Sequence, residues 1–162
     1  MNQHYLIALG SNMRVAGIGG PEWVLRAACA AMADRGLDIE ALSPFITSAP
    51  IGPSLRRYSN GAAVIACDVG PPELLGMLQS IERQFGRMRM QRMGQRWRSR
   101  ALDLDIVLWS GGVWSSPALT IPHREMRRRD FVLGPASAIA GDWKDPVSGL
   151  TLHQLRVRLK RA

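Results

Sequence analysis

Cysteine is scarce in this chain: Cys29 and Cys67 are the only two among 162 residues, and they form no C-x-x-C pair. That excludes a disulfide-stapled scaffold and a cysteine-based zinc site, and reads as two buried free thiols in a reducing compartment. Long apolar runs are lacking too. None approaches the roughly 18 residues a membrane-spanning helix needs, so no membrane partner is expected. No signal or transit peptide is visible, and a cytoplasmic protein is expected. The phosphate-binding signatures G-x-x-x-x-G-K-[ST] and G-x-G-x-x-G after a strand are missing, as are H-E-x-x-H and G-x-S-x-G. Repeats, linkers and low-complexity tracts are also missing, which predicts one domain over residues 1–162. Aromatic residues make up only 6%.

What is present is positive charge, and it is local. The formal net charge is +8, which favours a polyanionic partner such as a nucleotide or nucleic acid. Seven arginines and no acid lie in positions 83–100, and four arginines with one glutamate in 124–129. Such clustering suits concentrated phosphate charge better than a diffuse coat.

Between the clusters runs Arg100-Ala101-Leu102-Asp103-Leu104-Asp105-Ile106-Val107-Leu108. Its period-two alternation predicts a β-strand with Asp103 and Asp105 on one face and Leu102, Leu104, Ile106 and Leu108 on the other. The carboxylates then stand roughly 6–7 Å apart along the strand. That spacing suits divalent cations, while guanidinium groups nearby suit phosphate; together they point to a triphosphate handled with Mg²⁺. A D-x-D pair is also compatible with the solvated face of a half-buried strand. The arginine-dense approach (Arg87, Arg89, Arg92, Arg96, Arg98, Arg100) and the second cluster from His123 to Arg129 favour the metal reading.

The rest of the chain predicts a strand over 5–9 closed by a Gly10-Ser11-Asn12 turn, and a helix from Pro21 to Arg35 stopped by Gly36. A strand over 37–48, a loop over 49–57 and a strand over 58–67 follow. The next helix opens at Pro71-Pro72, carries Leu74, Leu78, Ile81 and Phe85 on one face, and ends at Gly86. The arginine-rich stretch 87–100 reads as a loop and a candidate lid. A hairpin near Trp114 and helices over 131–139 and 152–159 complete the order. Strand–helix–strand–strand–helix–strand is the split βαβ pattern, so the expected fold is an α+β ferredoxin-like α/β sandwich. Its core is an antiparallel four-stranded sheet with added C-terminal helices. Tyr58 and Phe131 could stack on a flat heterocycle whose edge Asn60 reads.

These residues together resemble the 6-hydroxymethyl-7,8-dihydropterin pyrophosphokinase family of folate biosynthesis. Residues 5–12 look like its opening strand and G-S-N turn. Ser48-Ala49-Pro50-Ile51-Gly52-Pro53 with Tyr58 and Asn60 resembles its pterin loop. Ile81-Glu82-Arg83 through Arg87, the R-x-x-D-L-D-I of 100–106, and Pro122-His123 with Arg129 and Phe131 match further segments. The resemblance implies pyrophosphate transfer from ATP to the pterin's hydroxymethyl oxygen, with release of AMP, by a monomer. It implies two Mg²⁺ on Asp103 and Asp105, and catalytic roles for these with Arg87 and Arg100. Gln79, Arg87, Trp97, Arg100, Ile106, Thr120, His123 and Arg129 would bind ATP. Ser48, Ile51, Tyr58, Asn60 and Phe131 would bind the pterin. The chain departs from the family pattern in Trp97-Arg98-Ser99-Arg100, in a longer preceding loop, in Arg124 and in Asp130. Alternatives left by the residues themselves are another two-metal nucleotidyl- or phosphotransferase, or an RNA-binding ferredoxin-like module.

Overall fold

The computed structural model describes residues 2–48, 57–93 and 101–162; for Ser48 and residues 87–93 only the backbone is described. The chain builds strand β1 (Gln3–Ser11), helix α1 (Pro21–Asp34), strands β2 (Asp38–Leu42), β3 (Ile46–Ser48) and β4 (Tyr58–Cys67), then helix α2 (Pro71–Met93). Strand β5 (Asp103–Trp109), a hairpin of β6 (Trp114–Ser116) and β7 (Leu119–Ile121), and helices α3 (Asp130–Ala140) and α4 (Leu152–Arg161) follow. The main sheet is antiparallel with the order β2-β4-β1-β5, and β3 pairs with β4 beyond the end of β2.

Helix α1 begins at Pro21, whose missing N–H is no loss in a first turn, and ends in a Schellman closure. The Leu37 N–H reaches the Met32 carbonyl and the Gly36 N–H the Ala33 carbonyl, with Gly36 at φ +83° where a side chain would be strained. Leu37, 1% exposed, seals the apolar side of this stop. Helix α4 starts with a reciprocal capping box between Thr151 and Gln154.

Alternation along the strands divides the core in two. Tyr5, Ile7, Leu9, Ala63 and Ile65 bury against α1 and α2 through Val24, Ala28, Met32, Leu74, Leu78, Ile81 and Phe85. Leu6, Ala62, Val64 and Leu108 bury against the other pair of helices through Leu133, Ala136, Leu152 and Leu155, with Met126 beside them. Both faces of the sheet are therefore covered at this end. Among the described residues no helix is long and apolar enough to cross a membrane.

Several features differ from the sequence reading. The expected strand over 37–48 is two strands, so the sheet has five. Pro44 has no N–H to offer a ladder, and the Ser43 hydroxyl instead accepts the Ala62 N–H at 2.9 Å. Phe45 then lies so close to Gly61 that a Cβ there would come within 2.6 Å of its ring. Helix α2 does not stop at Gly86 but continues to Met93. An interior glycine costs only about 1 kcal/mol, and the Arg, Met and Gln that follow are strong helix formers. Finally, Leu108 does not share a face with Leu104 and Ile106. Leu6 pairs with Leu108 but Ile7 with Ile106, and this irregularity at Val107 turns Leu108 toward the second core.

Asp145, between α3 and α4, is fully buried and takes a bidentate ion pair from Arg127, with Nε–Oδ2 at 2.7 Å and Nη2–Oδ1 at 2.9 Å. Burial pushes its carboxyl up, but bonds from Arg127, the Ser148 hydroxyl and the Val147 N–H outweigh that and hold it at about 2. A carboxyl depressed in the folded state contributes stability that is fully present above its unfolded value near 3.8 and is lost as pH falls through about 2. Urea unfolding of the parent and Asp145→Asn at pH 6 and pH 2 should show their stability gap shrinking by on the order of 2 kcal/mol. A gap independent of pH would refute this assignment.

Candidate active site

The sheet's second face is apolar at one end and polar at the other. Gly10 in β1 pairs with Asn60 of β4 on one side and Asp103 of β5 on the other, and Ala8 pairs with Asp105. Small residues in the central strand leave a floor between an amide and two carboxylates. A Cβ at Gly10 would stand 3.3 Å from Asn60 Oδ1, tight enough to force the amide to shift. Above this floor lies a cleft of about 510 Å³ lined by Tyr58, Asn60, Asp103, Asp105, Arg129 and Phe131, among others. Tyr58 and Phe131, far apart in sequence, both line this cleft. The Arg129 guanidinium lies 5.6 Å from the centre of the Phe131 ring.

A second cleft of about 410 Å³ opens on the outer edge of β5, between α2 and the β6–β7 hairpin. Asp105, Ile106, Thr120 and His123 line it, with Leu75 of α2 opposite. Asp105 therefore borders both clefts. The outer edge of β5 is pinned at both ends: the Leu104 N–H donates to Glu82 Oε2 at 2.9 Å, and the Val107 carbonyl accepts the His123 N–H at 3.0 Å. Ile106 has the same parity as Leu104, so its backbone polar groups face the second cleft.

Ile121 and Pro122 are joined by a cis peptide bond, and the His123 that follows lies against the edge strand. The Glu125 N–H donates to His123 Nδ1 at 3.1 Å. In a neutral ring, that bond leaves the proton on Nε2. Nε2 in turn points to Asp105, with Oδ2 at 3.9 Å. The separation is too long for a hydrogen bond.

Asp103 and Asp105 thus share a face, as the alternation predicts. Tyr58, Asn60 and Phe131 gather in one cleft; Ile106, Thr120 and His123 gather in the other. Gln79 is exposed on α2, one turn beyond Leu75. Arg129 lines the aromatic cleft rather than the edge cleft. Ser48 ends β3 opposite Tyr58 and Arg87 continues α2 by backbone; Ile51, Trp97 and Arg100 lie outside the described residues. Four contributors escaped the sequence reading. Gly10 is still part of β1 rather than a turn, and serves as the floor. Ser11, buried, donates to the Ala101 carbonyl at 2.6 Å and so ties β1 to the approach of β5. Glu82 pins the strand between the aspartates, and Arg128 lines the aromatic cleft. Gly10, Ser11 and Glu82 had a signal only as members of segments that resemble the family, and Arg128 only from its place in a basic run.

Among the described residues no three metal-ligating side chains cluster. Two carboxylates on a cleft floor nevertheless match the donor set Mg²⁺ prefers, in which substrate phosphates and water complete the shell.

A family model described as 7,8-dihydro-6-hydroxymethylpterin-pyrophosphokinase (HPPK) matches residues 6–141. A 2-amino-4-hydroxy-6-hydroxymethyldihydropteridine pyrophosphokinase of Pseudomonas aeruginosa is 37% identical over 149 residues, covering 90% of this chain and 86% of its own. One of the same description from Synechocystis sp. is 41% identical over 120 residues, covering 74% of this chain and 60% of its own. In structure, the wild-type HPPK-DHPS of Plasmodium falciparum overlays with a TM-score of 0.70 at 12% identity, covering 98% of this chain and 45% of that one. The chain thus spans about 60% of the Synechocystis relative and under half of the Plasmodium chain.

The hydrogen bond to Nδ1 makes a spectroscopic prediction. In ¹⁵N-labelled protein above pH 8, long-range ¹H–¹⁵N correlation spectra should show His123 as the Nε2–H tautomer. An Nδ1–H tautomer would overturn the proton placement.

Proposed function

The chain belongs to the 7,8-dihydro-6-hydroxymethylpterin-pyrophosphokinase family, and on that premise we propose that it transfers pyrophosphate from ATP to the hydroxymethyl group of 6-hydroxymethyl-7,8-dihydropterin, releasing AMP, in folate synthesis. The observation that carries the reading is the place of Asp105. It stands with Asp103 where an aromatic-walled cleft and an edge-strand cleft adjoin. The pterin occupies the first, stacked between Tyr58 and Phe131 with Asn60 on its edge. ATP occupies the second, its base against the backbone of Ile106 and Thr120 and Gln79 nearby.

The hydroxymethyl oxygen attacks the β-phosphorus in line and gives up its proton to water, the bond from that phosphorus to the α-phosphate oxygen breaks, and AMP leaves with the electron pair. Positioning and charge neutralisation supply most of the rate in such transfers. Asp103 and Asp105 would hold Mg²⁺, two ions in this reading, which when bound would neutralise phosphate charge and lower the pKa of the attacking hydroxyl. The His123 Nε2–H donates toward a phosphate oxygen. Arg129 directs positive charge over the pterin cleft toward the transferred group. Arg87, Trp97 and Arg100, and on the pterin side Ser48 and Ile51, join the site on the family resemblance.

The strand order β2-β4-β1-β5, with α1 and α2 together on one face, supports reading the fold as a ferredoxin-like α/β sandwich and residues 1–162 as one pyrophosphokinase domain. We take the protein to act in the cytoplasm as a monomer on two small molecules; its buried free thiols Cys29 and Cys67 suit a reducing compartment.

Product analysis tests the reaction. With ATP, Mg²⁺ and the pterin the parent should yield AMP and the pterin pyrophosphate; ADP would instead mark a phosphotransferase. Asp103→Asn and Asp105→Asn should each lower kcat/KM at least about 100-fold with the fold intact by circular dichroism. Tyr58→Ala should raise the pterin KM about tenfold, the scale of one lost stacking contact, and leave the KM for ATP nearly unchanged.

A further inference from the structure

We propose that Arg127 and Asp145 are a positioning pair that fixes how the arginines and the histidine on either side of Arg127 address the two clefts; this rests on the pyrophosphokinase reading of the site. The stretch from His123 to Phe131 supplies both clefts, giving His123 to one and Arg128, Arg129 and Phe131 to the other. It does so without joining either sheet. Its backbone is held by one bond to β5, from the His123 N–H to the Val107 carbonyl, by the single 3₁₀ turn Met126–Arg128, and at its end by α3, whose Val132 and Leu133 N–H groups donate to the Arg129 carbonyl.

Side chains must supply the remaining constraint. Met126 is fully buried in the second core, but apolar packing is non-directional. Arg128 meets Glu125 at 3.9 Å with its side chain 79% exposed, and the Asp130–Arg156 pair is also largely exposed. Pairs of that kind hold little. Arg127 is different. It turns away from the clefts and forks onto a carboxylate that has no exposed surface. That carboxylate is itself immobilised, accepting the Val147 N–H at 3.0 Å and the Ser148 hydroxyl at 2.6 Å. Its backbone N–H donates to the Leu150 carbonyl and its own carbonyl accepts the Gly149 N–H. A planar fork on a fixed carboxylate sets orientation as well as distance, which a lysine at the same place cannot do. Of three consecutive arginines, the first anchors and the next two face ligand. Displacement of that stretch by about 1 Å is enough to slow a transfer that depends on alignment.

The test separates positioning from stability. A buried ion pair replaced by a packed apolar pair often keeps or gains stability, so Arg127→Leu/Asp145→Leu should stay folded while losing the directional anchor. We expect kcat/KM about 30-fold below the parent and Mg²⁺–α,β-methylene-ATP bound about fivefold more weakly, at a temperature where circular dichroism shows both fully folded. Arg127→Lys and Asp145→Asn, which also cover the case of a double variant that fails to fold, should fall in between. A folded Leu/Leu protein, or a folded Asp145→Asn protein, with kinetics and nucleotide affinity within twofold of the parent would overturn the pair. A parent without pyrophosphoryl transfer would sink the reaction and not the pair, which is then judged by the nucleotide affinity alone. A parent that binds no nucleotide overturns both.

Discussion

The site depends on the side-chain parity of one edge strand. Leu104 and Ile106 are drawn into the core beneath α1 and α2, so Asp103 and Asp105 must face the other way. A slip of one residue would drive both carboxylates into packed hydrocarbon, at a cost far above that of any single contact in the strand. The same sheet face then grades from apolar to polar along three strands at once. In β1 it runs Leu6, Ala8, Gly10; in β4 it runs Val64, Ala62, Asn60, Tyr58; in β5 it runs from Leu108 to Asp105 and Asp103. Helices α3 and α4 cover the bulky end and leave the small and polar end as a cleft. Core and site are two ends of a single surface.

That gradient was partly legible in the sequence. The alternation in residues 102–106 specifies which face carries the carboxylates, and Pro21, Gly36 and the Leu74–Phe85 spacing specify two helices. The break at Pro44 was foreshadowed by the proline itself, yet its consequence, a strand restarting at Ile46 beside Phe45 packed on Gly61, follows from β4 as partner. The run of α2 past Gly86 shows glycine losing to seven helix-favouring successors. The register irregularity at Val107 has no local signature, because it is fixed by pairing with β1, about a hundred positions earlier in the chain.

Least legible was the division of labour among like residues. Arg127, Arg128 and Arg129 are indistinguishable as a charge run, and only the fold places Asp145 behind the first of them. Glu82 reads as a solvated residue on a helix until β5 presents an unpaired edge N–H to it. Gly10 reads as a turn former until the register puts Asn60 and Asp103 on either side of it. In each case the information lies between segments distant in sequence, where spacing rules have nothing to measure.

A basic site built around carboxylates has an internal conflict, since arginines can satisfy the aspartates directly and close the space a phosphate needs. Among the described residues, several arginines meet other acids instead. Asp145 takes Arg127 fully, and Asp130 and Glu125 pair more loosely with Arg156 and Arg128. Glu82 is engaged by the Leu104 N–H. His123 accepts the Glu125 N–H at Nδ1 and stands 3.9 Å from Asp105 Oδ2 through Nε2. Those arrangements hold several of the charged groups in and beside the clefts in fixed orientations. Preorganised charge of this kind is worth more to a transfer step than additional charge, because nothing has to be reoriented when the bond breaks.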